Sequence, residues 1–474
     1  MTELTNIKNI YFIGIGGIGM SALARYFHAR GAAVGGYDKT PAALTREMEA
    51  AGMHIHYTED VALVPPNPDL VVYTPAVPAQ HAELVYYRNN GTTVLKRSEV
   101  LGIITRSSFN ICVAGTHGKT TISTMIGHIL RDTGYGCNAF LGGIAVNYGT
   151  NFWGSDKNVC VIEADEYDRS FLQLSPDVAV VTAMDADHLD IYGTAEAVEE
   201  AFIAFTGKIK PGGLLISNRK IKGEQRLKAD HKTTYGHEDT GADVYPFAIS
   251  AENGSYRFSI HYPGSTIDNV VLNIGGMHNV ENVVAAISAA KHLGIDMEKI
   301  KSAVAGFRGV KRRFEYIIKT PELVMVDDYA HHPEELRALI GGAASLFPGK
   351  KIIVVFQPHL FTRTRDFADG FAETLSMAGE VLLLPIYPAR ELPIPGVSSS
   401  MILDRIKHNG KALVDKENLA EEVAKRVTGG TVVLMAGAGD IDLLVEPVKQ
   451  KLTAVGTPTK EGLPAKSMQA GSDR

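Results

Sequence analysis

Gly115-Thr116-His117-Gly118-Lys119-Thr120, preceded by Phe109-Asn110-Ile111-Cys112-Val113-Ala114 and followed by Thr121, is the stretch that decides the fold class. The six residues before it are mostly apolar and include β-branched side chains, which predicts a buried strand. After it, large apolar residues at 122, 125, 126, 129 and 130 recur at helical spacing. Strand, glycine turn, Lys-Thr and helix make a phosphate-binding arrangement. Glycines let backbone N–H groups approach phosphate oxygens, and the helix start adds the positive end of a dipole. Lys119 would reach the β/γ-phosphates, and the Thr120 hydroxyl would face Mg²⁺. Only Thr116 and His117 stand between Gly115 and Gly118-Lys119, fewer than the usual pattern has. An ordinary glycine turn into a helix therefore stays open on this stretch alone.

Upstream, residues 1–107 form a first unit. The segment Ile10 to Ile15 reads as a strand, followed by Gly14-Ile15-Gly16-Gly17-Ile18-Gly19, the helical Met20 to Arg30, and a strand Ala32 to Tyr37 ending at Asp38. The glycine spacing matches a dinucleotide fingerprint, and Asp38 stands where an acid would hold a ribose hydroxyl. Read alone, this is an NAD-dependent dehydrogenase. A full dinucleotide domain needs two mononucleotide halves, however, and a second phosphate loop begins by Gly115. A diphosphate on a ribose is all the motif requires, and a UDP-sugar supplies both. Thr74-Pro75-Ala76, after the strand Leu70 to Tyr73, would form a rim for that ligand. Structural glycines without a ligand are the alternative.

Downstream, 108–317 form a middle unit. The apolar strand Val159 to Ile162 ends in Glu163-Ala164-Asp165-Glu166-Tyr167-Asp168. Four carboxylates this close repel unless a cation or solvent relieves them, and beside a phosphate loop that cation would be Mg²⁺. A solvated acidic loop is the other reading. His188, among Asp185, Asp187 and Asp190, could ligate a metal or cap a helix. Residues 230–275 alternate and predict a small β-rich insert. His278, Asn279 and Asn282 fall in one helical turn, where they can meet a base edge or serve as caps. Lys311-Arg312-Arg313 reads as a solvated basic face.

A last unit, 318–454, repeats strand and helix, with strands at Leu323 to Val326, Lys351 to Phe356, Val381 to Leu384 and Thr431 to Met435. Polar groups gather after several of them: Asp328, Tyr329, His331, then His359, Arg363 and Arg365, then Tyr387 and Arg390. Ligands in such sheets bind at the carboxyl ends of strands. From 455 the composition predicts a disordered tail.

Bulk properties agree. At 474 residues, and roughly 150 per domain, about three domains are expected. A 45% hydrophobic and 21% charged composition is that of a soluble globular chain with ample core. A net charge of −6, with no Lys/Arg-rich run, gives no sign of nucleic acid as partner. Cys112, Cys137 and Cys160 sit in or near apolar runs, which suggests a reducing cytosol. No signal peptide opens the chain, and no apolar run approaches the ~18 residues of a membrane span. The expectation is a cytoplasmic protein without a membrane partner, monomer or homodimer.

Together these motifs resemble the Mur ligases, which build the peptide stem of bacterial peptidoglycan. The resemblance covers nearly the whole chain short of the tail, and Gly-Thr-x-Gly-Lys-Thr at 115–120 is similar to that family's own phosphate loop. Gly14–Met20, Glu163–Asp168, His278–Asn282, Lys311–Phe314, Asp327–Pro333 and Phe356–Asp366 are most similar to its alanine-adding branch. The implied fold is α/β in three domains: a Rossmann-like UDP-binding domain, a central P-loop ATPase domain with a small β insert, and a C-terminal Rossmann-like domain. The implied activity is ATP-dependent ligation of L-alanine to UDP-N-acetylmuramate through an acyl phosphate, with ATP and Mg²⁺ as cofactors. The resemblance further implies that the UDP-sugar meets Gly16, Gly17, Ile18, Gly19 and Asp38. ATP would meet the 115–121 loop, with Lys119 on its phosphates, His278, Asn279 and Asn282 on its base, Arg313 on its γ-phosphate, Asp328 on its ribose and His331 nearby. Metal ligands would be Thr120, Glu163 and His188. Tyr329, His359 and Arg363 or Arg365 would face the amino acid. Most sister ligases carry a carbamylated lysine where this chain has Phe202-Ile203-Ala204, as the alanine-adding branch does without it. Leu360 stands where relatives often have arginine. Rival readings are the branch that attaches a whole tripeptide, an NAD-binding oxidoreductase and a nucleotide-sensing regulator.

Overall fold

The computed structural model describes residue 4 and residues 6–185, 189–237, 239–389 and 391–455. The predicted tail from 456 on, His188 and Arg390 lie outside the described residues.

The first sheet is parallel, in the order His54–His56, Ala33–Tyr37, Asn9–Ile13, Leu70–Tyr73, Val94–Lys96. This strand order is the doubly wound order of nucleotide-binding folds cut one strand short, consistent with the early second glycine loop. The first strand ends at Ile13, earlier than the apolar run, because Gly14 turns the chain at φ +85°. The amides of Gly14 and Ile15 then both donate to the Tyr37 carbonyl, at 2.8 and 3.0 Å. The helix Ile18–Ala29 starts two residues before Met20, inside the glycine run.

The second sheet has seven strands, in the order His231–Tyr235, Leu214–Asn218, Val178–Val181, Phe109–Ala114, Val159–Glu163, Asn138–Ala145, Thr150–Trp153, with only the last pair antiparallel. Its central strands are almost continuously apolar because both faces are covered. The expected insert begins later than 230. His231–Tyr235 is an edge strand of this sheet, and the separate antiparallel meander is Tyr245–Glu252, Ser255–Tyr262 and Ser265–Leu272. Polar, alternating sequence is shared by an edge strand and a hairpin, so the pattern alone does not separate them.

These two sheets belong to one compact unit, which ends at Glu315 and includes Ser345–Pro348. Tyr26 packs on Phe140 and Phe152, with ring centroids 5.1 and 6.1 Å apart. Asn151 Nδ2 donates to the Ile18 carbonyl at 2.6 Å and to Ser21 Oγ at 3.0 Å. The glycine loop of the first sheet is thereby pinned to the second.

Among the described residues the other unit comprises Tyr316–Ala344 and 349–455. Its sheet runs Glu315–Lys319, Leu323–Asp328, Thr431–Ala436, Lys351–Phe356, Glu380–Leu383, Lys411–Leu413. The outermost two strands are half-exposed and neither is read from the sequence: Lys411–Leu413 has only three residues, and Glu315–Lys319 spans the unit boundary expected after 317. All three cysteines are buried and unpaired. Among the described residues no helix is long and apolar enough to cross a membrane.

Candidate active site

The phosphate loop has the conformation its glycines permit. Gly115 stands at φ +134° and Gly118 at φ +79°, and a Cβ on Gly118 would lie 2.9 Å from Asn282 Oδ1. Only glycine combines this backbone with so close an approach. Lys119 opens the helix Lys119–Asp132 and folds back, donating to the Gly115 carbonyl at 2.8 Å and to Glu166 Oε1 at 2.7 Å. Glu166 is 1% exposed and its Oε2 has no partner. Burial raises its carboxyl pKa, against the pull of Lys119.

Thr120 Oγ1 donates to Glu163 Oε1 at 3.0 Å, and Glu163 Oε2 accepts the Gly142 amide at 3.0 Å. Arg313 Nη2 reaches Thr120 Oγ1 at 3.4 Å. Burial raises the Glu163 pKa too, opposed by Lys119, Thr120 and Arg313. Of the acids between 163 and 168, Glu163 and Glu166 thus face the loop. The basic run at 311–313 is more than a solvated face. Arg312 and Phe314, flanking Arg313, both take left-handed backbone, φ +59° and +47°. The Phe314 ring sits on Gly275, where a Cβ would be 2.1 Å away. Arg312 and Phe314, both strained and the second with its ring locked on Gly275, flank Arg313 where it faces Thr120.

Beside the loop lies a cavity of about 390 Å³, lined by His117, Gly118, Asn218, Lys220, Tyr235, His278, Glu281 and Asn282 among others. His278 and Asn282 are in the first turns of the helix Met277–His292. Burial, then Arg313, lowers the His278 pKa, which keeps a neutral imidazole able to accept as well as donate. Asn279 donates to the Gly275 carbonyl at 2.6 Å and accepts from Asn282 Nδ2 at 3.0 Å, so it is partly spent on the helix start. Asn218, Lys220 and Tyr235 were not foreseen. Their only sequence signal is that Asn218 and Tyr235 end strands of this sheet.

In the first sheet, Asp38 Oδ2 accepts the Gly16 amide at 2.7 Å and Oδ1 the Thr40 amide at 3.2 Å. Asp38 therefore props the glycine loop, and its remaining lone pairs can still meet a hydroxyl. Gly17, Ile18, Gly19 and Thr74 open into a cleft of about 270 Å³ that also contains Glu163, Asp165 and a residue not foreseen, Arg97. The Thr74 methyl would be 2.6 Å from a Cβ on Gly14, so rim and loop are packed together. Pro75 and Ala76 are exposed at that rim.

In the other unit, Asp328 Oδ1 caps the Ala330 amide at 2.8 Å. The His331 ring lies 5.2 Å from Tyr329 and 6.0 Å from His359, and His359 stacks on Tyr387 at 5.7 Å. Arg363 Nη1 is 3.4 Å from His359 Nδ1. Burial, then Arg363 and His331, lowers the His359 pKa. Arg365 is turned aside, its Nε on Asp366 Oδ1 at 2.7 Å. Leu360 sits at φ +70°.

Thr120 and Glu163 offer two oxygen donors side by side, the chemistry of a Mg²⁺ ligand pair completed by phosphate and water. Among the described residues no group of three or more His, Cys, Asp or Glu forms a metal site by protein ligands alone.

Three family models cover most of the chain: "Mur ligase family, catalytic domain" at 9–109, "Mur ligase middle domain" at 113–290 and "Mur ligase, glutamate ligase domain" at 312–439. The chain is 49% identical to a UDP-N-acetylmuramate–L-alanine ligase of Porphyromonas gingivalis, over 94% of this chain and 99% of that one. It is 49% identical to the ligase of the same name from Cytophaga hutchinsonii, over 94% and 97%. The solved UDP-N-acetylmuramate-alanine ligase of Thermotoga maritima superposes with a TM-score of 0.80 at 29% identity, over 94% of this chain and 99% of that one. A murein peptide ligase from Psychrobacter arcticus shares the fold, with a TM-score of 0.64 at 23% identity over 94% and 98%.

Proposed function

The chain belongs to the Mur ligase family, and we propose that within it this protein joins L-alanine to the lactyl carboxylate of UDP-N-acetylmuramate at the cost of ATP. One observation carries the reading: the first sheet's glycine loop and Glu163 line one cleft, and Glu163 holds the phosphate-loop hydroxyl of Thr120. A sugar nucleotide seated on Gly16–Gly19, between Asp38 and the Thr74–Ala76 rim, would direct its free end toward the γ-phosphate of a nucleotide on Lys119.

In this reading the carboxylate attacks the γ-phosphorus and ADP leaves. The amine of L-alanine then adds to the acyl carbon of the acyl phosphate, phosphate departs, and the amine loses a proton as the amide forms. Two anions must meet in the first step, so charge neutralisation is the main demand. Lys119 and Arg313 supply it, the one beneath the phosphates and the other beside Thr120. Mg²⁺ on Thr120 and Glu163, with His188 as a further candidate outside the described residues, would add to it. His278, Asn279 and Asn282 are proposed for the base, Asp328 for the ribose and His331 for the phosphates. Tyr329, His359 and Arg363 are proposed for the amino acid.

The tripeptide-attaching reading keeps every nucleotide contact and differs only in the amine. An oxidoreductase leaves the Lys119–Glu166 and Thr120–Glu163 pairs without a purpose. The test is purified protein with ATP, Mg²⁺, UDP-N-acetylmuramate and a panel of amines, followed by phosphate release and product mass. Phosphate release dependent on L-alanine supports the proposal; release only with a tripeptide, or none, overturns it.

A further inference from the structure

Arg97 opens the helix Arg97–Ser107 directly after the edge strand Val94–Lys96 of the first sheet. Its guanidinium lies in the cleft that Gly17, Ile18 and Gly19 share with Glu163 and Asp165. The side chain lies flat on Gly19: a Cβ there would meet Nη1 at 2.7 Å, Cζ at 3.1 Å and Cδ at 3.2 Å. The last glycine of the loop thus makes room for a cation, beyond any service to helix packing.

Within the protein that cation is poorly matched. Arg97 Nη2 stands 3.9 Å from Asp165 Oδ2, too far for a hydrogen bond, and the two side chains are 20% and 42% exposed. An ion pair of this length and exposure contributes little to stability. A planar fork of donors has instead been brought beside the first turn of the helix Ile18–Ala29, whose amides have no side-chain cap.

We propose that Arg97 is a substrate-binding residue, its guanidinium forking onto a diphosphate oxyanion of the nucleotide-sugar, with Asp165 the weak internal partner it leaves on binding. The assignment rests on the ligase reading above and adds to it the residue that recognises the diphosphate. The cleft also admits the lactyl carboxylate of the same substrate, and UDP, which has the diphosphate without the carboxylate, tells the two apart.

The experiment is titration calorimetry of the full chain with UDP, with UDP-N-acetylmuramate and with ATP, on wild type, Arg97→Gln and Asp165→Asn. Arg97→Gln should weaken UDP and UDP-N-acetylmuramate alike, by about ten- to a hundredfold, the weight of a charge-assisted hydrogen bond. ATP should bind as before. Asp165→Asn should bind UDP at least as tightly as wild type, because it removes a competitor. Equal losses in both variants would mean that the ion pair merely braces the two sheets, and would overturn the proposal. So would a loss confined to UDP-N-acetylmuramate, which would move Arg97 to the carboxylate. Arg97→Lys separates charge from shape: partial retention of UDP affinity is expected, and no retention, with an unchanged melting temperature, marks the fork as essential. If the wild type bound neither UDP nor UDP-N-acetylmuramate, the ligase reading itself would fall. If it bound both and Arg97→Gln bound them equally well, only this assignment would.

Discussion

Lys119 and Glu163 sit 44 residues apart in sequence and have different partners, Lys119 the buried Glu166 and Glu163 the Thr120 hydroxyl, so their substitutions should fail in different ways. Lys119→Ala removes the cation proposed to lie beneath the phosphates and should abolish turnover, while calorimetry with UDP-N-acetylmuramate should show affinity close to wild type. It also strands Glu166 without its partner. Breaking a buried pair from one side costs about 3–5 kcal/mol when the remaining charge persists. The melting temperature should therefore fall, and Lys119→Ala combined with Glu166→Gln should recover most of it, because no charge is then left buried. An additive loss in the double variant would show that the pair is not what holds Glu166. Glu163→Gln keeps the shape but loses the charge and one of its two acceptor oxygens. If metal affinity is what it supplies, its activity should climb toward wild type as Mg²⁺ is raised, and an equal defect at every concentration would make the carboxylate purely structural.

The helix Lys119–Asp132 carries the phosphate loop at one end and a buried histidine near the other. His128 Nε2 faces the Ala303 carbonyl at 2.8 Å, so it must carry the proton, and Nδ1 takes the Tyr148 hydroxyl at 2.8 Å. Burial lowers the His128 pKa below 6.5, with the Ala303 carbonyl and Asp132 pulling it up and Arg131 down. The sign follows: a histidine depressed in the folded state gives its full stabilisation above the unfolded value. That stabilisation is lost as pH falls from about 6.5 through the folded pKa. His278, His292 and His359 are lowered as well, so the readout must be a difference. Between about pH 7.5 and about pH 5, the melting-temperature gap between wild type and His128→Gln should narrow. A constant gap would mean that the His128 pKa is the same in the folded and unfolded states, against the lowering that burial causes. At this scale the sequence was legible where pattern and burial coincide. The strands Phe109–Ala114 and Val159–Glu163 stand out because both faces are covered, and the glycine loops because each needs backbone that only glycine gives readily. The edge strand His231–Tyr235 was read into the β-rich insert, because an edge strand and a hairpin share a polar, alternating pattern, and Lys411–Leu413, three residues long, is too short to stand out. Arg97 was missed for another reason: its meaning lies in Gly19, which is 78 residues away in the chain and in van der Waals contact in the fold.

Across the whole molecule, the groups proposed for the UDP-sugar, and all those proposed for phosphate except His331, lie in the first compact unit, whereas those proposed for the amine lie in the second. Chemistry divided in this way predicts separable kinetic defects. L-alanine brings a carboxylate that must be held while its amine stays neutral and nucleophilic. A guanidinium fork suits that carboxylate, and such a charge-assisted pair is stronger than a neutral hydrogen bond. Sequence left Arg363 and Arg365 as candidates. Arg365 is committed to Asp366 and half-exposed, whereas Arg363 lies against His359, itself stacked on Tyr387. Arg363 is therefore the residue to test. Arg363→Lys keeps the charge and loses the fork, so the KM for L-alanine should rise by about tenfold or more, within the span of a charge-assisted hydrogen bond. The KM for ATP, and calorimetric affinity for UDP-N-acetylmuramate, should change little, because their proposed contacts are on other residues. Arg365→Lys should leave all three near wild type. The fork expects a carboxylate on the amine's own carbon, where a tripeptide beginning in L-alanine has an amide. The wild type should therefore release phosphate with L-alanine and little with that tripeptide. Should the tripeptide prove the better substrate, and Arg363→Lys leave its KM untouched, the residues at 359–363 would have to be reassigned to a longer amine.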